Sequence, residues 1–215
     1  MSTSSQGFPI RALRGIQRAR RSFEPVHGAL AALILLSLSG CHAMSSPQEA
    51  GMELAVKIDT SKPIRFSTHS FGAHCFDATE CRVVYFGRVI RSGSKEAVPL
   101  PASDLSRRLI APHIGIPNFQ SPVQVNWIAS DGTPLHAEVD VAQIFKDQIV
   151  LHQVPKDQLP NFLFSPIEPD IIVVVRDRVI DVYMRAHIPT VRLQDPRNSY
   201  TDFRNELVLV HSRSY

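Results

Sequence analysis

Val123-Gln124-Val125-Asn126-Trp127-Ile128-Ala129-Ser130-Asp131-Gly132-Thr133-Pro134-Leu135-His136-Ala137-Glu138-Val139-Asp140-Val141 reads as two strands and the turn between them. Apolar and polar residues alternate through 123–127, Asp131-Gly132 supplies a turn, and the alternation resumes through 135–141. A period of two sends alternate side chains to opposite faces of a pleated strand, so Val123, Val125 and Trp127 share one face and Gln124 and Asn126 the other. Asp-Gly accepts the left-handed backbone that a tight hairpin needs. Trp127, the only tryptophan, is expected on the inward face.

Working outward from this hairpin, strand signals outnumber helix signals. Residues 52–58 predict a first strand. Residues 81–91, rich in β-branched and aromatic side chains, predict a second, with Gly87 as a bulge or bend. Residues 148–154 read as a strand closed by Pro155. The run Ile171-Ile172-Val173-Val174-Val175 has no polar face, which predicts burial on both sides. Residues 176–178 then turn the chain into a strand over 179–186, although this turn lacks the favoured glycine, and 206–212 predict the last strand. Helix candidates are few: 103–110, with Ser103 able to cap and Arg107 and Arg108 near the C-terminal end, and 155–159. The stretch 92–122 holds five of the sixteen prolines and predicts a long excursion on one side of a sheet, where binding surfaces are often found. The expected fold is a single mostly-β domain, a sandwich or curved antiparallel sheet with a minor helix, after an N-terminal signal helix.

That signal is legible in its own right. Arg11, Arg14, Arg18, Arg20 and Arg21 precede an apolar stretch, 29–38, that is too short to cross a bilayer, which takes about 20 residues. Leu38-Ser39-Gly40-Cys41 follows, the layout of a bacterial lipoprotein signal whose cysteine becomes the lipidated first residue. The expected organisation is a signal peptide at 1–40, a lipidated tether at 41–52 and the folded domain at 53–215. Acyl chains, palmitate among them, contribute about 0.8 kcal/mol per buried methylene and anchor a body that does not span the membrane. The extended tether would reach about 35 Å. His42 stands where a retention signal would carry Asp, so the expected location is the outer membrane, facing the periplasm.

The leader also explains the basic pI. Residues 1–40 carry five arginines against Glu24, a net of +4, so the remaining chain is near −1 out of the total of +3. No uniform basic field for nucleic acid is left, and no nucleic-acid partner is expected.

With Cys41 acylated, Cys75 and Cys81 remain in an oxidising compartment, where a disulfide is the expected state. It would close a short loop and contribute about 2 kcal/mol by loop-closure arithmetic. The same segment offers a rival chemistry, because His69, His74, Cys75 and Cys81 make a zinc-like inventory. Their spacing fits no zinc template, however, and no metal or other cofactor is expected.

Catalytic patterns are weaker still, and no enzymatic activity is expected. Ser70 lacks the glycine two residues before it that a nucleophile elbow requires, and no His-Glu-x-x-His occurs. Ser92-Gly93-Ser94-Lys95 matches Ser-x-x-Lys, but Gly93 behind a strand indicates a solvated turn rather than a buried helix start. Glu138 and Asp140 share a strand face, as solvation of a hairpin alone would produce. Asp177 and Asp181 read as a turn residue and a strand-face residue, with Arg176, Arg178 and Arg185 as candidate partners. The block 183–190 and the block 200–206 mix aromatics with arginine, a composition found at protein interfaces and also at the corners of β-proteins.

Three segments together carry a resemblance: Thr68-His69-Ser70-Phe71-Gly72-Ala73-His74-Cys75-Phe76-Asp77 with Cys81; Phe145-Lys146-Asp147; and Val182-Tyr183-Met184-Arg185-Ala186 with Tyr200-Thr201-Asp202-Phe203-Arg204-Asn205. In overall pattern, over most of 53–215, the chain resembles small proteobacterial lipoproteins associated with type VI secretion lipase effectors. The resemblance implies an immunity protein that binds and sterically blocks a phospholipase in the periplasm, with a secreted lipase effector as protein partner and the membrane engaged through the lipid. It transfers no inhibitory residue. The alternative is a structural lipoprotein of the envelope or of a secretion assembly, without inhibitory activity.

Overall fold

A computed structural model describes residues 57–215 apart from 102 and 104. The expected leader, the expected lipidation position Cys41, the expected tether and residues 52–56 of the first expected strand lie outside the described residues. In chain order the strands are β1 (Ile58–Asp59), β2 (Thr68–Phe76), β3 (Ala78–Tyr85), β4 (Arg88–Ser92), β5 (His113–Pro117), β6 (Val123–Ala129), β7 (Pro134–Val139), β8 (Phe162–Leu163), β9 (Asp170–Arg176), β10 (Val179–Arg185), β11 (Ile188–Pro189), β12 (Phe203–Arg204) and β13 (Leu207–Ser214). Two one-turn helices accompany them, α1 (Leu105–Arg108) and α2 (Val141–Ile144).

The fold is mostly β. A five-stranded sheet, β13-β10-β9-β2-β5, and a four-stranded sheet, β4-β3-β6-β7, share one core. Alternation decides what fills it. Phe71, Ala73 and Cys75 from β2, Ile171, Val173 and Val175 from β9, and Ile180, Val182 and Met184 from β10 meet Val83 and Tyr85 from β3 and Val123, Val125 and Trp127 from β6. Each large aliphatic side chain withdrawn from water here contributes about 1.5–3 kcal/mol. The expected hairpin is present as β6–β7, in a register that sets Trp127 opposite Leu135. Trp127 points inward, and its indole N–H donates to the carbonyl of Asp177 at 2.6 Å.

The even-numbered residues of β9, Ile172 and Val174, are equally buried, because the proline-rich excursion lies over the other face of the five-stranded sheet. Leu109 and Phe76 close a second, smaller core there, with Leu100 and Leu105 packed against it. The approach is close enough to need glycine: a Cβ on Gly72 would stand 2.0 Å from the carbonyl oxygen of Ile110. After crossing this face, the excursion enters the sheet as β5, antiparallel to β2.

Several local expectations change. Residues 81–91 are two strands rather than one, because Phe86 (φ 53°) and Gly87 (φ 68°) both adopt left-handed backbone and form a two-residue hairpin turn. The turn without glycine works in the same way, with Asp177 at φ 48° and its carboxylate accepting from the backbone N–H and hydroxyl of Ser130, both at 2.8 Å. Residues 148–154 run outside the sheets: Ile149 bridges to Arg65, the N–H of Val150 donates to the carbonyl of Ile64, and Val150 and Val154 are buried in the core. The helix expected over 103–110 is the single turn α1, and 155–159 contain a 3-10 turn, Lys156–Gln158. Asp140 does not serve as a strand-face residue: its carboxylate caps α2 by accepting from the N–H of Gln143 at 3.0 Å. The longest of the strands not foreseen, which include β5, is β2. Its pairing with β9 is parallel, unlike the neighbouring pairs, and the whole four-stranded sheet lies within the connection that such a pair requires.

Cys75 and Cys81 form a disulfide with a Cα separation of 6.4 Å. Cys75 belongs to the five-stranded sheet and Cys81 to the four-stranded sheet, so the bond joins the layers where Asp77 (φ 48°) turns the chain from one to the other. Gly93 packs against this point, where a Cβ would lie 2.6 Å from the backbone nitrogen of Cys81.

Candidate functional site

Strand parity divides the segment 68–77. His69, Phe71, Ala73 and Cys75 face the shared core, while Ser70, Gly72, His74 and Phe76 face the excursion. The four candidate zinc ligands are therefore not assembled: both thiols are in the disulfide, and the two histidines lie on opposite faces. Among the described residues, no group of three or more His, Cys, Asp or Glu side chains is placed to hold a metal ion.

Inside, His69 is fully buried and hydrogen-bonded at both ring nitrogens. Nδ1 lies 2.8 Å from Asn118 Oδ1, and Nε2 lies 3.1 Å from the Tyr85 hydroxyl. The Asn118 amide N–H donates to the carbonyl of Phe66, so its oxygen faces the ring. The proton therefore resides on Nδ1, and Nε2 accepts from Tyr85. Phe71 sits against Tyr85 with ring centroids 4.4 Å apart, and Phe119 against the imidazole at 5.1 Å. Burial lowers the pKa of His69 and pushes the Tyr85 phenol up to about 12. This network specifies packing, with His69 and Tyr85 almost wholly buried and Asn118 and Phe119 half-buried at its edge.

Outside, the ends of β9 and β10 and the segment after β12 surround a polar depression of about 410 Å³ lined by Glu168, Asp170, Arg185, His187 and Asn205. Arg185 donates from Nη2 and Nε to the same Asp170 carboxylate oxygen, at 2.6 and 3.0 Å, and from Nη1 to the carbonyl of Ser106 at 3.0 Å. It thereby ties the excursion to the sheet. Glu168 accepts from the Ser70 hydroxyl at 3.0 Å and from the N–H of Gly115 at 2.8 Å. His187 stacks on Phe203 with centroids 4.0 Å apart. Beyond β11 and β12, the loop 190–202 is closed by N–H donation from Thr190 to Asp202 and from Gln194 to Thr201, both at 2.7 Å, and it carries Tyr200 out into solvent.

The two C-terminal blocks singled out in the sequence thus meet, with Arg185 and His187 from one and Phe203 and Asn205 from the other. Of the arginines considered for Asp181, Arg176 is its partner at 2.8 Å, and Ser212 donates to the other carboxylate oxygen at 2.6 Å. Ser92 ends β4, and among the described residues no hydrogen bond joins it to Lys95. Glu168, Asp170, Asn118 and Tyr85 were not legible as site residues. Each acquires its role from a partner 15 to 98 positions away, and no local pattern encodes that.

Chemically, the depression is a surface of paired charges. Its guanidinium and carboxylates already satisfy one another or the backbone, an arrangement suited to contact rather than to nucleophilic attack. The chain matches no family model, and no curated protein or solved structure matches it either.

Proposed function

We propose that this chain is a lipid-anchored envelope protein that works by binding, and that its partner is a lipase effector of type VI secretion, which it inhibits by covering the enzyme's mouth. The observation that carries the reading is the contrast between satisfied polar groups and unsatisfied apolar ones. Glu168, Asp170 and Arg185 are tied to partners, whereas Ile114 and Tyr200 stand 78% and 84% exposed. Large apolar and aromatic side chains left in water beside a rigid polar frame are the raw material of an interface hot spot. The lipobox ending at Cys41 supports a site of action on a membrane facing the periplasm. Tethering there raises the local concentration against an enzyme that attacks the same membrane.

The test is survival. Cells making this chain should resist candidate lipases delivered to the periplasm, and the Cys41→Ala variant should protect less well at equal abundance. Survival that does not depend on expression of the chain would refute the inhibitory function.

A further inference from the structure

β4 and β5 are the terminal strands of the two sheets; each pairs with a strand that carries one cysteine of the Cys75–Cys81 disulfide, and residues of both line one depression. Between them runs a groove of about 380 Å³. Phe86, Arg88 and Ile90 form one wall and Pro112, Ile114 and Ile116 the other. Among the described residues, Arg88–Ser92 exchange no backbone hydrogen bonds with any segment except β3, so the outer edge of β4 is unused. Ile114 in the groove is 78% exposed, and Val89 on β4 and Ile110 shortly before β5 are about half exposed.

This stretch of chain is mainly basic. Residues 82–114 carry Arg82, Arg88, Arg91, Lys95, Arg107 and Arg108 against Glu96 and Asp104, a net of +4 in a chain whose remainder beyond the expected leader is acidic; of these Arg88 lines the groove and Arg91 lies on the same strand. None of the five arginines has an ion-pair partner among the described residues.

We infer that the groove between the β4 and β5 edges seats an extended, acidic segment of a protein partner, added as a strand to β4. An extended segment supplies the alternating N–H and C=O groups that an open edge accepts. Its alternate apolar side chains enter between Ile90 and Ile114, and its carboxylates meet Arg88 and Arg91. A lipid headgroup could satisfy the charge but not the row of backbone groups. The five residues of β4 match a partner strand of about 17 Å. This assignment rests on the reading that the chain binds a protein, but not on the partner being a lipase.

The probe is a synthetic decapeptide alternating valine and glutamate, titrated into the full chain in detergent and followed by anisotropy of a terminal dye. Saturable binding is expected, weakened at least tenfold by Arg88→Glu and by Ile114→Asp and unchanged by Leu209→Asp on the distant β13 edge. The urea midpoint of each variant, read from Trp127 fluorescence, certifies its fold, and Arg88→Gln serves if Arg88→Glu fails that check. Equal binding of the valine–lysine peptide, or of a peptide N-methylated at alternate nitrogens, would overturn the inference. So would binding insensitive to Arg88 and Ile114, or Arg88-dependent binding of phosphatidylglycerol vesicles without binding of the peptide. The survival experiment reports on lipase inhibition independently, so either reading can fail alone.

Discussion

Replacing Tyr85 by Phe removes one oxygen from the core, and the structure fixes what that oxygen does. Asn118 is locked by its bond to Phe66, His69 Nδ1–H is committed to Asn118, and the bare lone pair on Nε2 has the Tyr85 hydroxyl as its only donor among the described residues. His69 is 0% exposed, so Tyr85→Phe strands a buried acceptor, which costs about 1–3 kcal/mol. Urea unfolding at pH 7, followed by Trp127 fluorescence, should show a loss of that size with an unchanged m value. The pH dependence gives a second check with a definite sign. The Tyr85 phenol titrates near 12 when folded and at 10.0 in its ordinary state, so above pH 10 the unfolded chain gives up a proton that the folded chain keeps. Stability therefore falls as pH rises from 10 toward 12, and two units at about 1.4 kcal/mol each amount to about 3 kcal/mol at the far end. Tyr85→Phe should flatten this alkaline slope but not abolish it, since burial also raises the pKa of Tyr183. A variant within 0.5 kcal/mol (about one-third of a tenfold change) of the parent at pH 7, with the slope retained, would refute the assigned donor.

The acid limb should mirror this. His69, His74 and His152 all have pKa values lowered chiefly by burial, so below pH 6.5 the unfolded chain binds protons that the folded chain refuses, and urea midpoints should fall from pH 7 to 5, less steeply in His69→Gln. The Cys75→Ala/Cys81→Ala pair should lose about 2 kcal/mol in urea unfolding by loop-closure arithmetic and should shift little further when dithiothreitol is added. Gly72→Ala drives a methyl group into the Ile110 carbonyl, and calorimetry should report about 1–3 kcal/mol of destabilisation, with faster amide exchange in the excursion. Asp181→Ala removes the acceptor of both Arg176 and Ser212; Arg176 can still reach water, so chemical denaturation should show a loss of about 1–3 kcal/mol.

The lesson about legibility turns on range. Residues 123–141 specify their own hairpin because both the alternation and the turn lie within nineteen positions, and 171–185 specify theirs because Asp177 can adopt a left-handed backbone without glycine. The all-apolar stretch of β9 announced burial on both faces but could not say what covers it. That answer required the excursion 92–112, whose sequence predicts a crossing on one side of a sheet but not which strand it covers. The interior strand β2 escaped notice because its polar residues read as a chemical cluster. A pleat separates neighbours onto opposite faces, so adjacency in sequence became distance in space, and the prospective ligands His69 and His74 parted company.

By itself the sequence determined the β class, the location of two hairpins, the export layout ending in Cys41 as an expectation, and which two cysteines were left to pair. Alternation, turn chemistry and composition act over a few residues and are readable without coordinates. Only the tertiary structure decided that the disulfide joins two sheets, that Tyr85 and Asn118 complete His69, that Arg185 finds Asp170, and that the β4 and β5 edges lie together. Each of these depends on which distant segments the core brings into contact. That choice belongs to the packing of the whole chain, and no window of neighbouring residues contains it.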